Sequence, residues 1–367
     1  MPASNPAFLA QLFAAHDIDL RRGALFDRAP GPVAPDPSFD RAAGMLLGLA
    51  IGDALGHPAA ALPPAERAAR GGDVVDYAPA AHAGGAAIGL PSALTQLAFW
   101  TLEDLVAAGR FRPKRVVDRW CAEPLLGPDT TVRDAIRDAK AGVPWHRCGR
   151  PSPSAAAAAR TAPLLLPHRA SGGADLWADV ALGALATHND SAALAAALGV
   201  AALLHGCLAR ADVPPPAWWA ATFVEAVGDV EAGPFYRASP LAGDAPFQGT
   251  LGQRVAATAG AASSAALDVG AAAAAWGSGA GAVEAVPLAL HILARHADDP
   301  AAAVVRAATD AAASDVVAAL VGACAGALHG AAAWPRRWIE GLAGRTGAAD
   351  DGRVFALIAA AGERFGG

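Results

Sequence analysis

The sequence predicts an all-α protein, an orthogonal helical bundle within one large domain. Alanine and glycine dominate the composition, and Ala-rich segments that are poor in β-branched residues favour helix. No segment shows a sustained period-two alternation of β-branched residues, so no sheet is predicted. Apolar segments of helical length follow one another from residue 38 onward, separated by Gly, Pro or Asp.

The composition excludes several classes of protein. With 367 residues, of which 54% are hydrophobic and 17% charged, the chain is not disordered and has material for a large core. The net charge is -6 and there is no basic run, so we expect no nucleic-acid partner. No CxxC pair occurs, which argues against a zinc knuckle.

Two segments bear on localisation. Residues 1–20 lack the basic start and compact apolar stretch of a signal peptide. Residues 316–334 are apolar over the length of a bilayer span, but they consist largely of Ala and Gly, include His329 and are followed by Pro335 and two arginines. We interpret this segment as a buried helix, and we expect a cytoplasmic protein without a membrane partner.

The first 37 residues are predicted to be an extension of the domain that covers residues 38–367. Residues 8–13 form a short amphipathic pattern, and residues 28–37 are rich in proline and indicate an extended linker. Asp40 then precedes the first long apolar segment as a helix cap.

The further helices are placed by their boundary residues. Gly109 and Gly142 end two of them, and Pro113, Pro216 and Pro300 stand at first-turn positions. Residues 243–279, rich in Gly, Ala and Ser, are predicted to be loop-like. The predicted helices after the first cover residues 93–108, 113–121, 131–141, 154–166, 175–187, 191–210, 216–227, 283–295, 300–308 and 316–333.

The first long segment, residues 44–58, reads GMLLGLAIGDALGHP. Its glycines recur at every fourth position and therefore share one face of a helix. Each glycine costs a helix about 0.8–1 kcal/mol relative to alanine. We therefore expect another element to pack very close to this face.

This segment resembles the opening G-x-x-x-G-x-A-x-G-D-A-L-G-x-P signature of the ADP-ribosylglycohydrolase family. Further ordered segments between about residues 41 and 342 are similar to motifs of that family. Residues 89–98 stand where the family has G-x-W-T-D-D-T-Q, residues 154–163 resemble G-N-G-A-A-M-R-x-A-P, and residues 187–190 resemble T-H-x-D. Residues 276–284 are similar to the G-S-G-Y-x-V-E loop, and residues 307–318 replace the segment that contains D-T-D-T.

The resemblance implies an all-α fold and a cleft that holds two divalent cations, usually magnesium. In the family these ions are bound by a Thr-Asp-Asp trio, a later Asp-x-Asp-Thr group and an acidic residue after the first helix. Here the trio is replaced by Ser92, Ala93 and Leu94, and of the later group Asp315 alone keeps a carboxylate. Residues 59–61, where the acid is expected, are all alanine. One carboxylate cannot hold two magnesium ions, so we expect no metal and no cofactor.

The remaining polar residues define a candidate site. Asp315, Asp53 and His57 are the candidate catalytic residues, although a buried acid bonded to backbone amides is the alternative for Asp53. Arg160 is expected to pair with a phosphate or with a carboxylate such as Asp315. The candidate ligand-binding residues are Ser92, Arg160, Gly277, Ser278, Gly279 and Ser314.

The alternative is that other acidic residues of the chain hold the metal ions. Asp190 and Asp299 are predicted to be helix caps, whereas Glu103 and Asp104 are predicted to face solvent. Asp310 is five residues from Asp315 and thus on another helix face.

Three functions follow as hypotheses. The first is a member of the family without the binuclear site, which binds an ADP-ribosyl-like or other small polar ligand or acts with a protein partner. The second is an enzyme with metal-independent biosynthetic chemistry in the same cleft. The third is an active hydrolase with relocated ligands.

Overall fold

The computed structural model describes residues 4–33, 39–60, 62–79, 85–233, 236–237 and 247–366. The all-α prediction is confirmed. The first helices are α1 (Asn5–Ala15), α2 (Asp40–Ala59), α3 (Pro64–Gly71), α4 (Ala93–Ala108), α5 (Pro113–Ala122) and α6 (Thr130–Lys140). The middle helices are α7 (Ala156–Ala159), α8 (Asp175–Leu185), α9 (Ser191–Ala209), α10 (Pro216–Val227), α11 (Leu251–Ala265) and α12 (Val269–Trp276). The last helices are α13 (Ala282–His296), α14 (Pro300–Asp310), α15 (Ser314–His329), α16 (Arg336–Gly341) and α17 (Arg353–Phe365).

Besides these helices, the described residues contain short 3-10 turns and one pair of short strands. The turns cover Ala24–Asp27, Trp145–Arg147, Ala162–His168 and Ala331–Ala333. The strands β1 (Tyr236–Arg237) and β2 (Gln248–Gly249) pair antiparallel, with Tyr236 opposite Gly249. Each strand has two residues, too few for the alternation that would have predicted it.

Two predicted segments differ from the structure. Residues 154–166 do not form one helix: Pro163 has no N–H to donate to the carbonyl of Ala159, where α7 ends, and it stands in the first turn of a 3-10 segment that follows. Most of the described part of residues 243–279 is helical rather than loop-like. There Thr250 and Gln253 form a capping box that starts α11. Residues 243–246 lie outside the described residues.

The N-terminal extension packs onto the bundle. Leu9 and Leu12 of α1 are buried, and α1 contacts α8. Of the predicted linker, Val33 is buried and its N–H donates to the carbonyl of Arg169, whereas residues 34–38 lie outside the described residues. Asp40 is the first residue of α2 rather than its cap, and its carboxylate accepts a hydrogen bond from the N–H of Ala331.

The centre of the bundle is the pair formed by α2 and α15. The predicted glycine face of α2 lies directly against the backbone of α15: a Cβ on Gly48 would overlap the carbonyl of Gly322, and one on Gly52 would overlap that of Ala318. The contact is reciprocal, since a Cβ on Gly322 would overlap Gly48. The glycines therefore allow the two helix backbones to touch, which confirms the close packing expected from the sequence.

One described helix is long and apolar enough to cross a bilayer by length and composition. It is α9, and 78% of its apolar window is buried inside the fold. Most of residues 316–334, the apolar segment that the sequence predicts to be a buried helix, lies in α15, whose apolar residues are buried as well. Both are therefore packed as core helices.

Candidate functional site

Asp53 is the best-connected carboxylate of the predicted site. It lies on the buried part of α2 and is 0% exposed. Its Oδ2 accepts hydrogen bonds from the N–H of Ser92 at 2.9 Å and from the N–H and hydroxyl of Thr95 at 3.2 and 2.6 Å. Its Oδ1 accepts from the Ser92 hydroxyl at 2.6 Å. Asp53 thus anchors the N-terminus of α4, where a negative charge is favoured.

The environment of Asp53 has two electrostatic parts. Burial raises the pKa of the Asp53 carboxyl, and the negative charge of Asp315 raises it further, while the bonds from Ser92 and Thr95 oppose the shift. Asp53 and Asp315 are therefore close enough to interact. Both oxygens of Asp53 accept hydrogen bonds from Ser92 and Thr95, which are the contacts expected of a structural acid.

Asp315 and His57 form the accessible part of the site. Asp315 is in the first turn of α15, and His57 is near the end of α2, so the close packing of these helices brings the two together. Their side chains are 23% and 41% exposed, and His57 Nδ1 lies 3.8 Å from Asp315 Oδ2. That distance is an ion-pair contact rather than a hydrogen bond. The contact with Asp315 raises the pKa of His57. The structure thus brings together Asp53, His57 and Asp315, the three predicted catalytic residues.

The serines of the predicted site are used within the fold. Ser92 is the N-cap of α4, accepting from the N–H of Leu94 while its hydroxyl donates to Asp53. The hydroxyl of Ser314 is buried and donates to the carbonyl of Gly56 at 2.8 Å. This bond ties the start of α15 to the end of α2.

The predicted loop of Gly277, Ser278 and Gly279 supports the segment that leads into α15. The Ser278 hydroxyl accepts from the N–H of Ala312 at 3.0 Å, and its carbonyl accepts from the N–H of Ala313 at 2.8 Å. The N–H of Gly279 donates to the buried Glu284 at 2.7 Å. Gly277 has a positive φ of 82°, and a Cβ there would also meet Glu284. Glycine is needed at both places because the carboxylate fills the space.

Arg160 belongs to a different part of the core. Its guanidinium donates to the hydroxyl of Thr187 and lies 5.2 Å from the ring centre of Trp120. Burial lowers the pKa of Arg160 to about 10. His188, which follows Thr187 in the sequence, is fully buried, and burial lowers its pKa to about 3. Within the described residues the hydrogen-bond partner of Arg160 is therefore Thr187 rather than Asp315, which has His57 as its cationic neighbour.

Arg67 is the residue near the site that the sequence did not reveal. It is 5% exposed and lies on α3. Its guanidinium donates to the carbonyls of Ala308, Thr309 and Ala311, the bond to Thr309 measuring 2.8 Å, and its Nε donates to Leu62 at 3.0 Å. These acceptors form the end of α14 and the approach to Asp315. No local signal marked Arg67, because its main partners are more than 240 positions away.

The acidic residues considered as alternative metal ligands cap helices or form ion pairs within the fold. Asp190 and Asp299 are N-caps, as predicted. Asp310 pairs with Arg306. The prediction for Asp104 is wrong: it is buried and pairs with Arg112 and Arg115. Within the described ranges, no group of three or more His, Cys, Asp or Glu side chains is arranged to hold a metal ion.

A large cavity lies away from these residues. It has a volume of about 1080 Å³ and is formed by α1, α5, α8 and the turn after α6. A second, much smaller cavity lies beside Arg160 and Trp120. Neither is lined by Asp53, His57 or Asp315. The pair of His57 and Asp315, whose side chains are partly exposed, is therefore separate from both cavities.

The comparisons with known proteins agree with the fold. A family model described as ADP-ribosylglycohydrolase matches residues 34–364. A solved structure titled "ADP-ribosylglycohydrolase-related protein complex" superposes with a TM-score of 0.64 at 24% sequence identity, covering 89% of this chain and 97% of that one. No curated protein matches the sequence.

Proposed function

This chain belongs to the ADP-ribosylglycohydrolase family, and from that premise we propose that it binds ADP-ribose or a similar small polar ligand without a binuclear magnesium site. The proposal rests on one observation: among the residues that stand at the family's metal positions, only Asp315 has a carboxylate, and its side chain is partly exposed beside His57. The binding surface is formed by Asp315 and His57.

The donor set does not fit two magnesium ions. Each Mg²⁺ requires near-octahedral oxygen ligands, and two neighbouring dications need several carboxylates to offset their charge. Ala93, Leu94 and Ala313 have no oxygen in their side chains. The oxygens of Asp53 accept hydrogen bonds from four donors at the start of α4, two of which are backbone N–H groups. No step of the proposed function passes through a metal.

Arg67 adds a second argument against a dication. Its guanidinium is a fixed positive charge bonded to carbonyls of residues 308–311, directly before the segment that leads to Asp315. Those carbonyl oxygens already accept hydrogen bonds from the guanidinium. A divalent cation placed there would also be repelled by the guanidinium.

The pair of Asp315 and His57 is suited to hydroxyl groups. Asp315 Oδ1 accepts the N–H of Val316, which holds the carboxylate in place, and Oδ2 faces His57. A carboxylate accepts hydrogen bonds from neighbouring hydroxyls, and an imidazole either donates or accepts. Both side chains are partly exposed. These properties support recognition of a ribose diol and supply no means of hydrolysing it through a metal-activated water.

A second candidate function is favoured by the same pair. A histidine beside a carboxylate is the usual arrangement for general acid–base catalysis. The site would then carry out metal-independent chemistry on a small polar substrate, with His57 as the proton-transfer group and Asp315 orienting it.

The experiment combines ligand binding with a turnover assay. ADP-ribose is titrated by calorimetry into the wild-type protein, Asp315→Asn and the control Asp118→Asn, whose carboxylate is exposed on α5. We expect saturable binding that Asp315→Asn weakens and Asp118→Asn does not. ADP-ribosylated arginine is then incubated with each protein, with and without a chelator, and free ADP-ribose is measured.

Each outcome of the turnover assay has a meaning. No release of ADP-ribose supports a binding function. Release that persists in chelator and is lost in His57→Gln supports the second candidate. Release that chelation abolishes contradicts both and identifies a hydrolase with relocated ligands.

A further inference from the structure

The cavity between α1, α5 and α8 is separate from the surface at His57 and Asp315. Its volume of about 1080 Å³ is at the upper end of the range of small-molecule sites. Its wall on one side is α1, which precedes the region matched by the family model. The N-terminal extension therefore contributes one wall of this cavity, and residues within the matched region form the rest.

The floor of the cavity is a buried polar group. His168 Nε2 lies 2.9 Å from Asp179 Oδ2, and the Asn5 side chain donates to Asp179 Oδ1 at 2.6 Å. The side chains of His168 and Asp179 are 11% and 7% exposed. In the tautomer whose Nε2–H donates to this carboxylate, Nδ1 is an acceptor. Within the described part of the chain, no residue forms a hydrogen bond with that Nδ1.

The walls of the cavity are aromatic and apolar. Phe8 from α1 contacts Trp145, with ring centres 5.5 Å apart, and also contacts His146 at 5.2 Å. Phe111 and Val117 line another side and belong to the core. The aromatic ring of a ligand can pack against such surfaces.

The rim between α4 and α5 carries excess positive charge. Arg112 and Arg115 both pair with the single carboxylate of Asp104, which leaves one guanidinium charge uncompensated. Arg110 lies on the same rim, is exposed, and has no ion pair within the described residues. The other lining charges are Lys114, paired with Asp118, and Asp175 on the α8 side. Positive charge is thus concentrated at this rim, and Asn5 links the rim to the floor, since its Nδ2 donates to the carbonyl of Phe111 at 3.0 Å as well as to Asp179.

We propose that this cavity binds a small aromatic anion, with its negative group at Arg110, its ring against Phe8 and Trp145, and a hydrogen-bond donor directed to His168. The site is independent of the proposed function, because it shares no residue with it.

The probe for the test is 8-anilinonaphthalene-1-sulfonate, an aromatic sulfonate with an N–H donor whose fluorescence rises on binding. It is titrated into the native full-length chain and three variants. Ala139→Phe places a ring into the cavity from α6. Arg110→Glu reverses the charge at the rim. Arg295→Glu is the matched control, since it too is an exposed arginine without an ion pair within the described residues, and it lies outside the cavity.

We expect one saturable site per native chain. Binding should be lost in Ala139→Phe, weakened about tenfold in Arg110→Glu, as the loss of one charge-assisted contact implies, and unchanged in Arg295→Glu. Far-UV circular dichroism verifies that each variant is folded. Absence of saturable binding, or equal binding by the native chain and Arg110→Glu, would overturn the proposal. Arg110 is exposed, so its variant remains informative even where Ala139→Phe does not fold.

Discussion

Arg67 and Ala311 are joined by a hydrogen bond between the guanidinium and the backbone carbonyl, across 244 positions of sequence. The bond is one of several by which α3 holds the end of α14 and the approach to α15. A fixed cation therefore stabilises the segment in which related proteins bind metal ions through carboxylates. The predictions below test this arrangement and the contacts that surround it.

Removal of the Arg67 guanidinium should destabilise the fold. Arg67→Met keeps the aliphatic part of the side chain but leaves the carbonyls of Ala308, Thr309 and Ala311 without this donor. We expect a loss of about 3 kcal/mol in the free energy of unfolding, since bonds to charged groups contribute about 1.5–3 kcal/mol. Urea denaturation measures it, with Arg295→Met as the exposed control. A loss no larger than that of the control would show that the buried guanidinium is not structurally important.

Asp53 should behave as a structural residue. Asp53→Ala leaves the N–H groups and hydroxyls of Ser92 and Thr95 unpaired in the core, for which we expect a loss of about 3–5 kcal/mol. Asp53→Asn should also destabilise, because an amide offers only one acceptor oxygen to these donors. The comparison is Asp118→Ala on the exposed face of α5, expected within about 0.5 kcal/mol of wild type. A catalytic role for Asp53 would instead leave Asp53→Asn as stable as wild type.

Two glycine-to-alanine substitutions in helices should have opposite effects. At Gly48 the new Cβ would overlap the backbone of Gly322, so Gly48→Ala must separate α2 from α15 and is expected to lose several kcal/mol. At Gly260 of α11 the new Cβ meets no atom of the described residues within 4 Å, and Gly260→Ala should gain about 0.5–1 kcal/mol. Thermal unfolding of the two variants gives both signs. Similar melting temperatures would mean that the helices are not in contact at Gly48.

The stability of the fold should fall in acid partly through His188. Burial, with a smaller contribution from the Arg160 cation, lowers the pKa of His188 to about 3, below the value of about 6.5 for an unfolded histidine. Between these two pKa values the folded state binds fewer protons than the unfolded state. The stability that His188 contributes in its neutral form is therefore fully present above about pH 6.5 and is lost as the pH falls toward 3. At pH 4 the loss amounts to about 3 kcal/mol, from about 1.4 kcal/mol per pKa unit.

His188→Asn isolates that contribution. Asparagine keeps a polar atom at the position of Nδ1, which contacts the Thr187 hydroxyl at 2.8 Å, and it does not titrate. Urea denaturation from pH 7 to pH 4 should therefore give a flatter profile for the variant than for wild type. Parallel profiles would contradict the low pKa of His188.

The features predicted from the sequence are those with a local or periodic cause. The four-residue spacing from Gly44 to Gly56 predicted a close helix contact, and Asp190 and Asp299 were identified as caps from their positions before apolar segments. The region around α11 was missed because Gly and Ala weaken periodicity, although Thr250 and Gln253 offered a capping signal that was available.

The features that could not be predicted depend on distant contacts. The role of Arg67 requires knowledge of where α14 ends, and that of Arg160 requires the position of Thr187 and Trp120. The cavity arises from the packing of α1 on α8 and the turn after α6, and no sequence pattern describes the space between them. The burial of Asp104 could not be predicted, because its partners Arg112 and Arg115 come from the start of the next helix.

The most direct test of the central claim is a calorimetric titration of Mg²⁺ and of Mn²⁺ into the wild-type protein, alone and in the presence of ADP-ribose. Asp315 and the engaged Asp53 cannot offset the charge of two dications beside Arg67 and His57, so we expect no saturable metal binding in either case. Saturable binding of two metal ions per chain, abolished by Asp315→Ala, would contradict this and restore a metal-dependent hydrolase.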